Sequence, residues 1–137
     1  MRLTKFTDIA LRVLMVSAHD ISRTYTSDEI ARELKVSHNH LAKVIRDLAK
    51  TGIVSTQRGS GGGFRLARPP HLITLGEVVR GLEGDSSIVE CFRPDGGNCS
   101  LTPHCKLKGR LATAREAFLR DLDRTSIAEC LSPAHAF

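Results

Sequence analysis

The sequence predicts a mostly α-helical chain with one small β-hairpin, arranged as a winged helix-turn-helix followed by a long C-terminal helix. Three observations predict it. Two short capped segments at helical spacing flank a tight connection at Lys35–Ser37, the pattern of a helix-turn-helix. A basic, glycine-rich run, Arg58-Gly59-Ser60-Gly61-Gly62-Gly63, joins two segments that alternate as strands. Beyond Cys105, Leu107, Leu111, Ala114, Phe118 and Leu122 form an apolar stripe on one long helix.

Thr4 caps a first helix running to about Ala18, with Phe6, Ile9, Ala10, Val13, Leu14 and Ser17 on one face. Asp8 and Arg12 lie four apart on another face, in the favourable acid-before-base order of a surface ion pair. Thr26-Ser27-Asp28-Glu29 is a capping box opening a short helix through Leu34. Ser37 caps a third helix from His38 to about Lys50, with Leu41, Val44, Ile45 and Leu48 inward.

In a helix-turn-helix the N-terminal end of the second helix enters the major groove. Here that end presents Ser37, His38, Asn39, His40 and Lys43. Asn suits adenine edges, Ser and His reach bases or phosphates, and Lys43 with Arg46 suits the backbone. A polar face in a plain helical bundle has the same periodicity; the hairpin that follows decides for the winged helix. Gly52 ends the third helix, Ile53–Gln57 and Phe64–Arg68 read as paired strands, and Arg58 and Ser60 at the tip can lie along phosphates or reach the minor groove. The glycine run lacks the Walker lysine and the Rossmann spacing, so it is not a nucleotide cradle.

Pro69-Pro70 closes the winged part, and Thr74-Leu75-Gly76-Glu77 is another capping box, opening a helix to about Leu82. Gly84-Asp85-Ser86-Ser87 then leads into the stretch Cys91–Cys105, fifteen residues holding three of the four cysteines. Its prolines and glycines place Cys91 and Cys99 on irregular backbone. Thr102-Pro103 reads as an N-cap and first helical position, which puts Cys105 in the first turn of the long helix, where the dipole favours a thiolate. That helix is expected to reach about Asp123. Ser126-Ile127-Ala128-Glu129 opens a last short helix, and Cys130 within it reads as a small buried apolar residue rather than a ligand.

Three thiols, an odd number, in a chain without secretory features argue against a disulfide framework. Zinc sites usually carry a Cys-x-x-Cys knuckle, absent here. An iron–sulfur cluster tolerates the wide, irregular spacing. Spacing alone leaves cluster, zinc and uncommitted cysteines open, and three thiolates leave one corner of a four-iron cluster without a sulfur ligand.

At 137 residues the chain is one domain, or one with an appended helix, of ordinary composition. Its net charge of +5 is uneven: residues 1–70 carry 12 Lys/Arg against 6 Asp/Glu, and residues 71–137 carry 8 against 9. A basic first half points to a polyanion partner. No segment is apolar enough to span a bilayer, so no membrane partner and a cytoplasmic location are expected. No Ser-His-Asp, paired-carboxylate or nucleotide motif supports an enzyme. One helix-turn-helix reads few base pairs, so a homodimer on palindromic double-stranded DNA is expected, joined through the long helix.

The start Leu3-Thr4-x-Phe6-Thr7-Asp8-x-Ala10-Leu11-Arg12, the wing Arg58-Gly59-x-Gly61-Gly62-Gly63-x-Arg65-Leu66 and the triple-cysteine loop resemble the Rrf2 type of bacterial iron–sulfur transcription regulators. The resemblance covers essentially the whole chain and is strongest to the nitric-oxide-sensing branch. It implies a [4Fe-4S] cluster (a two-iron cluster being the other nuclearity) held by Cys91, Cys99 and Cys105, with Asp8 supplied by the partner subunit and Arg12 coupling it to the reading head. Nitric oxide attack on the cluster then releases operator DNA. It divides the chain into a DNA-binding part, 1–83, a cluster-binding loop, 84–106, and a dimerisation helix with C-terminal segment, 107–137. The redox-responsive branch completes its cluster with a histidine where this chain has Lys108, and His104 is a minor alternative ligand. The seven-residue gap between Cys91 and Cys99 also resembles the iron-responsive branch, and an iron-responsive or redox-responsive regulator of the same family is the alternative reading.

Overall fold

The computed structural model describes residues 2–84 and 86–133. Asp85, in the expected lead to the cysteine loop, and residues 134–137 of the expected C-terminal segment lie outside the described residues. Within them the chain runs α1 (Lys5–Ala18), α2 (Ser27–Glu33), α3 (His38–Lys50), β1 (Val54–Gln57), β2 (Gly63–Leu66), α4 (Leu75–Glu83) and α5 (Lys106–Leu122). This is the mostly helical winged helix-turn-helix with a long C-terminal helix that the sequence predicts.

The expected caps form at α1, α2 and α3. Thr4, Thr26 and Ser37 accept from the backbone N–H groups of Thr7, Glu29 and His40, and Glu29 reaches back to Thr26 to complete the capping box. α2 ends on a Schellman turn, with Val36 N–H bonded to Ala31 C=O and Lys35 at φ 53. A lysine in the left-handed region costs about 1 kcal/mol, a cost accepted here at the corner that sets α2 against α3. α3 ends the same way on Gly52, whose φ of 77 suits a residue without a Cβ.

The core lies where α1, α2, α3 and the hairpin meet. Ile9, Val13 and Leu14 of α1 pack with Ile30, Leu41, Val44, Leu48, Ile53 and Phe64, all at most 2% exposed. Each such side chain contributes roughly 1.5–3 kcal/mol through burial. β1 and β2 pair antiparallel with Val54 opposite Leu66 and Gln57 opposite Gly63. Tyr25 adds an unexpected bridge to Phe64, with N–H to carbonyl bonds of 2.8 Å in both directions. Gly63 is required there, because a Cβ would sit 2.2 Å from the Tyr25 carbonyl oxygen.

Three expectations are corrected. The Thr74 box is half formed: Thr74 caps Glu77 N–H, but the Glu77 carboxylate is drawn off to Arg68. α5 begins at Lys106, so Cys105 is its N-cap and not in its first turn. Thr102 does not cap it; its N–H closes a turn onto the Cys99 carbonyl and its hydroxyl is buried without a partner. The last helix is a short 3-10 turn, Ala128–Cys130, whose Ser126 and Glu129 bond each other reciprocally. Ile73 C=O accepts Ile127 N–H, which ties this end of the chain to the start of α4. No helix among the described residues is long and apolar enough to cross a membrane.

Candidate functional site

The residues expected to read DNA sit at the N-terminal end of α3 and the tip of the hairpin, but they are differently engaged. Ser37 spends its hydroxyl oxygen on the cap. His38, the first helical residue, places Nδ1 2.6 Å from Asp28 Oδ1 of α2. Asn39 is exposed. His40 is turned partly inward, its ring stacked on Phe6 of α1 with centroids 6.0 Å apart and planes at 27°. Lys43 Nζ lies over the other part of this contact, 5.8 Å from the Phe6 centroid. Arg46, Arg58 and Ser60 are exposed. Part of the basic surplus of the first half, Lys43, Arg46, Lys50, Arg58 and Arg65, is displayed along α3 and the wing.

Phe6 belongs to the first turn of α1, which is held from its other side by a residue the sequence did not single out. Glu83, the last residue of α4 and 8% exposed, accepts from Thr4 N–H at 2.7 Å, Thr4 Oγ1 at 2.7 Å and Thr7 Oγ1 at 2.5 Å. Burial pushes its carboxyl up, but the hydrogen bonds from Thr7, Ser86 and Thr4 outweigh it and bring the pKa down to about 2. The carboxylate also carries its negative charge to the positive end of α1. Asp8, one turn further on, pairs with Arg12 on the exposed side of the helix at 2.8 Å, as the spacing predicts.

The cysteine loop follows directly. Cys91 lies in a 3-10 turn, Glu90–Phe92; Glu90 reaches across to accept Asn98 N–H at 3.0 Å, and Asp95 accepts Gly97 N–H at 3.0 Å. Gly96 and Gly97 turn the chain at φ 79 and 59. Cys91, Cys99 and Cys105 are all free thiols and all half-buried; Cys99 is on irregular backbone as expected, Cys105 is the N-cap of α5, and Cys91, expected on irregular backbone, is instead held in the 3-10 turn. Among the described residues no three His, Cys, Asp or Glu side chains come together around a single ion position. His104 and Lys108 flank Cys105, His104 exposed and Lys108 half-buried. Cys130 is free and only half-buried, not buried as expected, and the burial it has pushes its thiol up. A cleft of about 370 Å³ opens between the start of α1, α4 and α5, with Thr4, Glu83, Ser87, Arg115 and Phe118 among its lining.

α5 is fixed to α4 by Arg80, whose guanidinium grips both carboxylate oxygens of Asp123, the second at 2.8 Å, and reaches Glu116 at 3.4 Å. Leu119 is its buried residue, 5% exposed. Leu119 stands outside the expected stripe. The stripe itself is left half-covered or open, with Leu107 63% exposed and Ala114 exposed.

Comparison with known proteins agrees with this architecture. Residues 3–133 match the family described as Rrf2, iron-dependent transcriptional regulator. The chain is 44% identical over 132 residues to the HTH-type transcriptional regulator NsrR of Geobacillus kaustophilus, covering 96% of this chain and 90% of that one. It is 42% identical over 130 residues to the HTH-type transcriptional regulator NsrR of Bacillus subtilis, covering 94% and 89%. Among solved structures, T. potens IscR superposes with a TM-score of 0.74 at 23% identity, over 98% of this chain and 89% of that one, which shows the shared fold. These relatives are regulators and not enzymes, as the absence of a catalytic motif led us to expect. Fold, basic reading head and relatives together place the chain in the Rrf2 family of DNA-binding transcriptional regulators.

Proposed function

We propose that the chain is a homodimeric repressor that holds a [4Fe-4S] cluster at Cys91, Cys99 and Cys105 and lets go of operator DNA in response to nitric oxide. The observation that carries this reading is the junction at the start of α1. Glu83, just ahead of the cysteine loop, grips Thr4 and Thr7, and Phe6 between them rests on His40 of the reading helix. A disturbance of the loop has a short path to the DNA face.

The donor set fits the cluster. Cys91, Cys99 and Cys105 are free, half-buried thiols outside the α-helices and strands, and would hold the cluster as thiolates. Asp8 of the partner subunit would complete the set. When bound, the cluster supplies irons that nitric oxide attacks. The rest falls to the chain's own side chains. An Asp8 engaged by the other subunit must leave Arg12; an Asp8 set free returns to it, and the pair closes again on the exposed face of α1. The tie between one subunit's α1 and the other's loop is then gone, and with it the fixed separation of two reading helices, roughly one helical turn or 34 Å. Specific binding exceeds non-specific binding by roughly 4–10 kcal/mol, so misalignment of one half-site releases the operator.

The resemblance of the three motifs to the nitric-oxide-sensing branch favours the nitric-oxide reading. The family description, iron-dependent, favours iron sensing as the second one. Protein purified without oxygen and assayed for iron, sulfide and operator binding tests both. Cluster-loaded protein that releases DNA on nitric oxide at constant iron supports the first. Release only when iron is chelated supports the second, and iron-free protein with full regulation contradicts both.

A further inference from the structure

We propose that Asp28 is a specificity-determining positioning residue: it holds His38 as a hydrogen-bond acceptor that reads the exocyclic amine of adenine or cytosine in the major groove. This rests on the placement of α3 in that groove given above. His38 is the first residue of α3, with its side chain 54% exposed at the end of the helix that meets DNA. Its Nδ1 stands 2.6 Å from Asp28 Oδ1. A carboxylate only accepts, so the hydrogen of this bond lies on Nδ1. In the neutral ring Nε2 is then a lone pair, on the side of the imidazole away from Asp28.

An acceptor in that position has a short menu. Phosphate oxygens are acceptors too and give it nothing. On the base edges of the major groove the donors are the N6 amine of adenine and the N4 amine of cytosine, whereas guanine offers only acceptors there. Asp28 itself belongs to the first turn of α2, where the helix dipole suits a carboxylate, and its backbone carbonyl accepts Arg32 Nε at 3.3 Å. Its side chain is 75% exposed. A bare carboxylate beside a DNA-reading end repels phosphates of every sequence alike. Its presence there weakens non-specific contact while sharpening one base choice, which is the signature of a specificity element.

The test uses the full-length, cluster-loaded protein and a random-sequence duplex pool. The operator position under His38 is the one whose preference disappears in His38→Ala. Wild type should select adenine or cytosine there and lose about fivefold in affinity, the size of one net hydrogen bond, when that base is replaced by an analogue lacking the amine. Asp28→Asn, whose amide can pair with either tautomer, and Asp28→Ala should lose most of this discrimination and bind non-specific DNA more tightly. On a His38→Ala background the Asp28 substitutions should leave base preference unchanged. Guanine at the His38 position, or an amine preference that survives both Asp28 substitutions, overturns the proposal while leaving α3 as the reading helix. A wild-type protein whose selected sites are indifferent to every α3 substitution overturns the placement of α3 itself.

Discussion

Thr7 Oγ1 donates to the Glu83 carboxylate at 2.5 Å, joining the first turn of α1 to the last residue of α4 across 76 positions of sequence. The same carboxylate takes both the N–H and the hydroxyl of Thr4, so the start of α1 is capped from outside its own helix. Asp8 and Phe6 ride on this turn, and the cysteine loop begins a few residues past Glu83. One buried acid therefore holds together the proposed ligand helix, the proposed cluster loop and, through Phe6, the proposed reading helix α3.

Glu83→Gln should cost on the order of 3 kcal/mol at neutral pH, since each unit of depressed pKa corresponds to about 1.4 kcal/mol. The Glu83 pKa lies at about 2 in the folded chain against an ordinary 4.5. Its contribution is complete above pH 4.5 and is lost as pH falls toward 2. Urea midpoints of wild type should therefore drop across that window more steeply than those of Glu83→Gln. Parallel curves for the two proteins would show that the carboxylate is not held as described.

Phe6→Leu keeps the apolar contact with the core but removes the ring that His40 and Lys43 rest on. Cation–π contacts of this kind contribute about 0.5–1 kcal/mol. Operator affinity should fall a few-fold in a fluorescence anisotropy titration, with iron content unchanged. A loss of iron in place of affinity would assign Phe6 to the cluster side of the junction.

On α5 Leu107 is exposed and Leu111 half-buried, while Leu119 is the buried residue. Changing both Leu107 and Leu111 to Asp should give a folded monomer by sedimentation. Palindromic operator binding should weaken by about a hundredfold or more, because the second half-site no longer benefits from the first. A dimer that persists would place the subunit contact elsewhere.

Lys43 and Arg58 are exposed on the reading helix and the wing. If each neutralises one phosphate, either Ala substitution should flatten the log–log salt dependence of operator binding by about 1 unit. It should weaken all sequences equally. A change in base preference without a change in slope would make them base readers.

How much of this was written in the chain depends on whether the decisive bond is local. Thr4, Thr26 and Ser37 each cap within three residues, so the three helices of the reading head could be placed from neighbouring letters alone. Thr102-Pro103 shows the same reasoning failing. A threonine before a proline opens a helix or closes a turn, and here the Thr102 N–H had a carbonyl within reach at Cys99. The apolar stripe of α5 was legible, but the burial of Leu119 was not, because the Arg80–Asp123 pairing that ties α5 to α4 joins residues 43 positions apart in sequence. Glu83 was invisible as a site residue, its partners lying at the far end of the chain. One signal pointed to it: an acid at a helix C-terminus opposes the dipole and needs an outside partner. Asp28 and His38 lie ten residues apart on different helices, and only the corner at Lys35 brings them together.

The most direct measurement is a titration of the oxygen-free, cluster-loaded dimer with nitric oxide, following absorbance and operator binding in the same sample. Bleaching of the cluster bands and release of DNA should run together. Cys91→Ala, Cys99→Ala and Cys105→Ala should lack the bands, and Asp8→Ala should retain the cluster poorly or lose the coupling. Iron-free protein that binds its operator fully and ignores nitric oxide, or four variants indistinguishable from wild type, would contradict the proposed link between cysteine loop and reading helix.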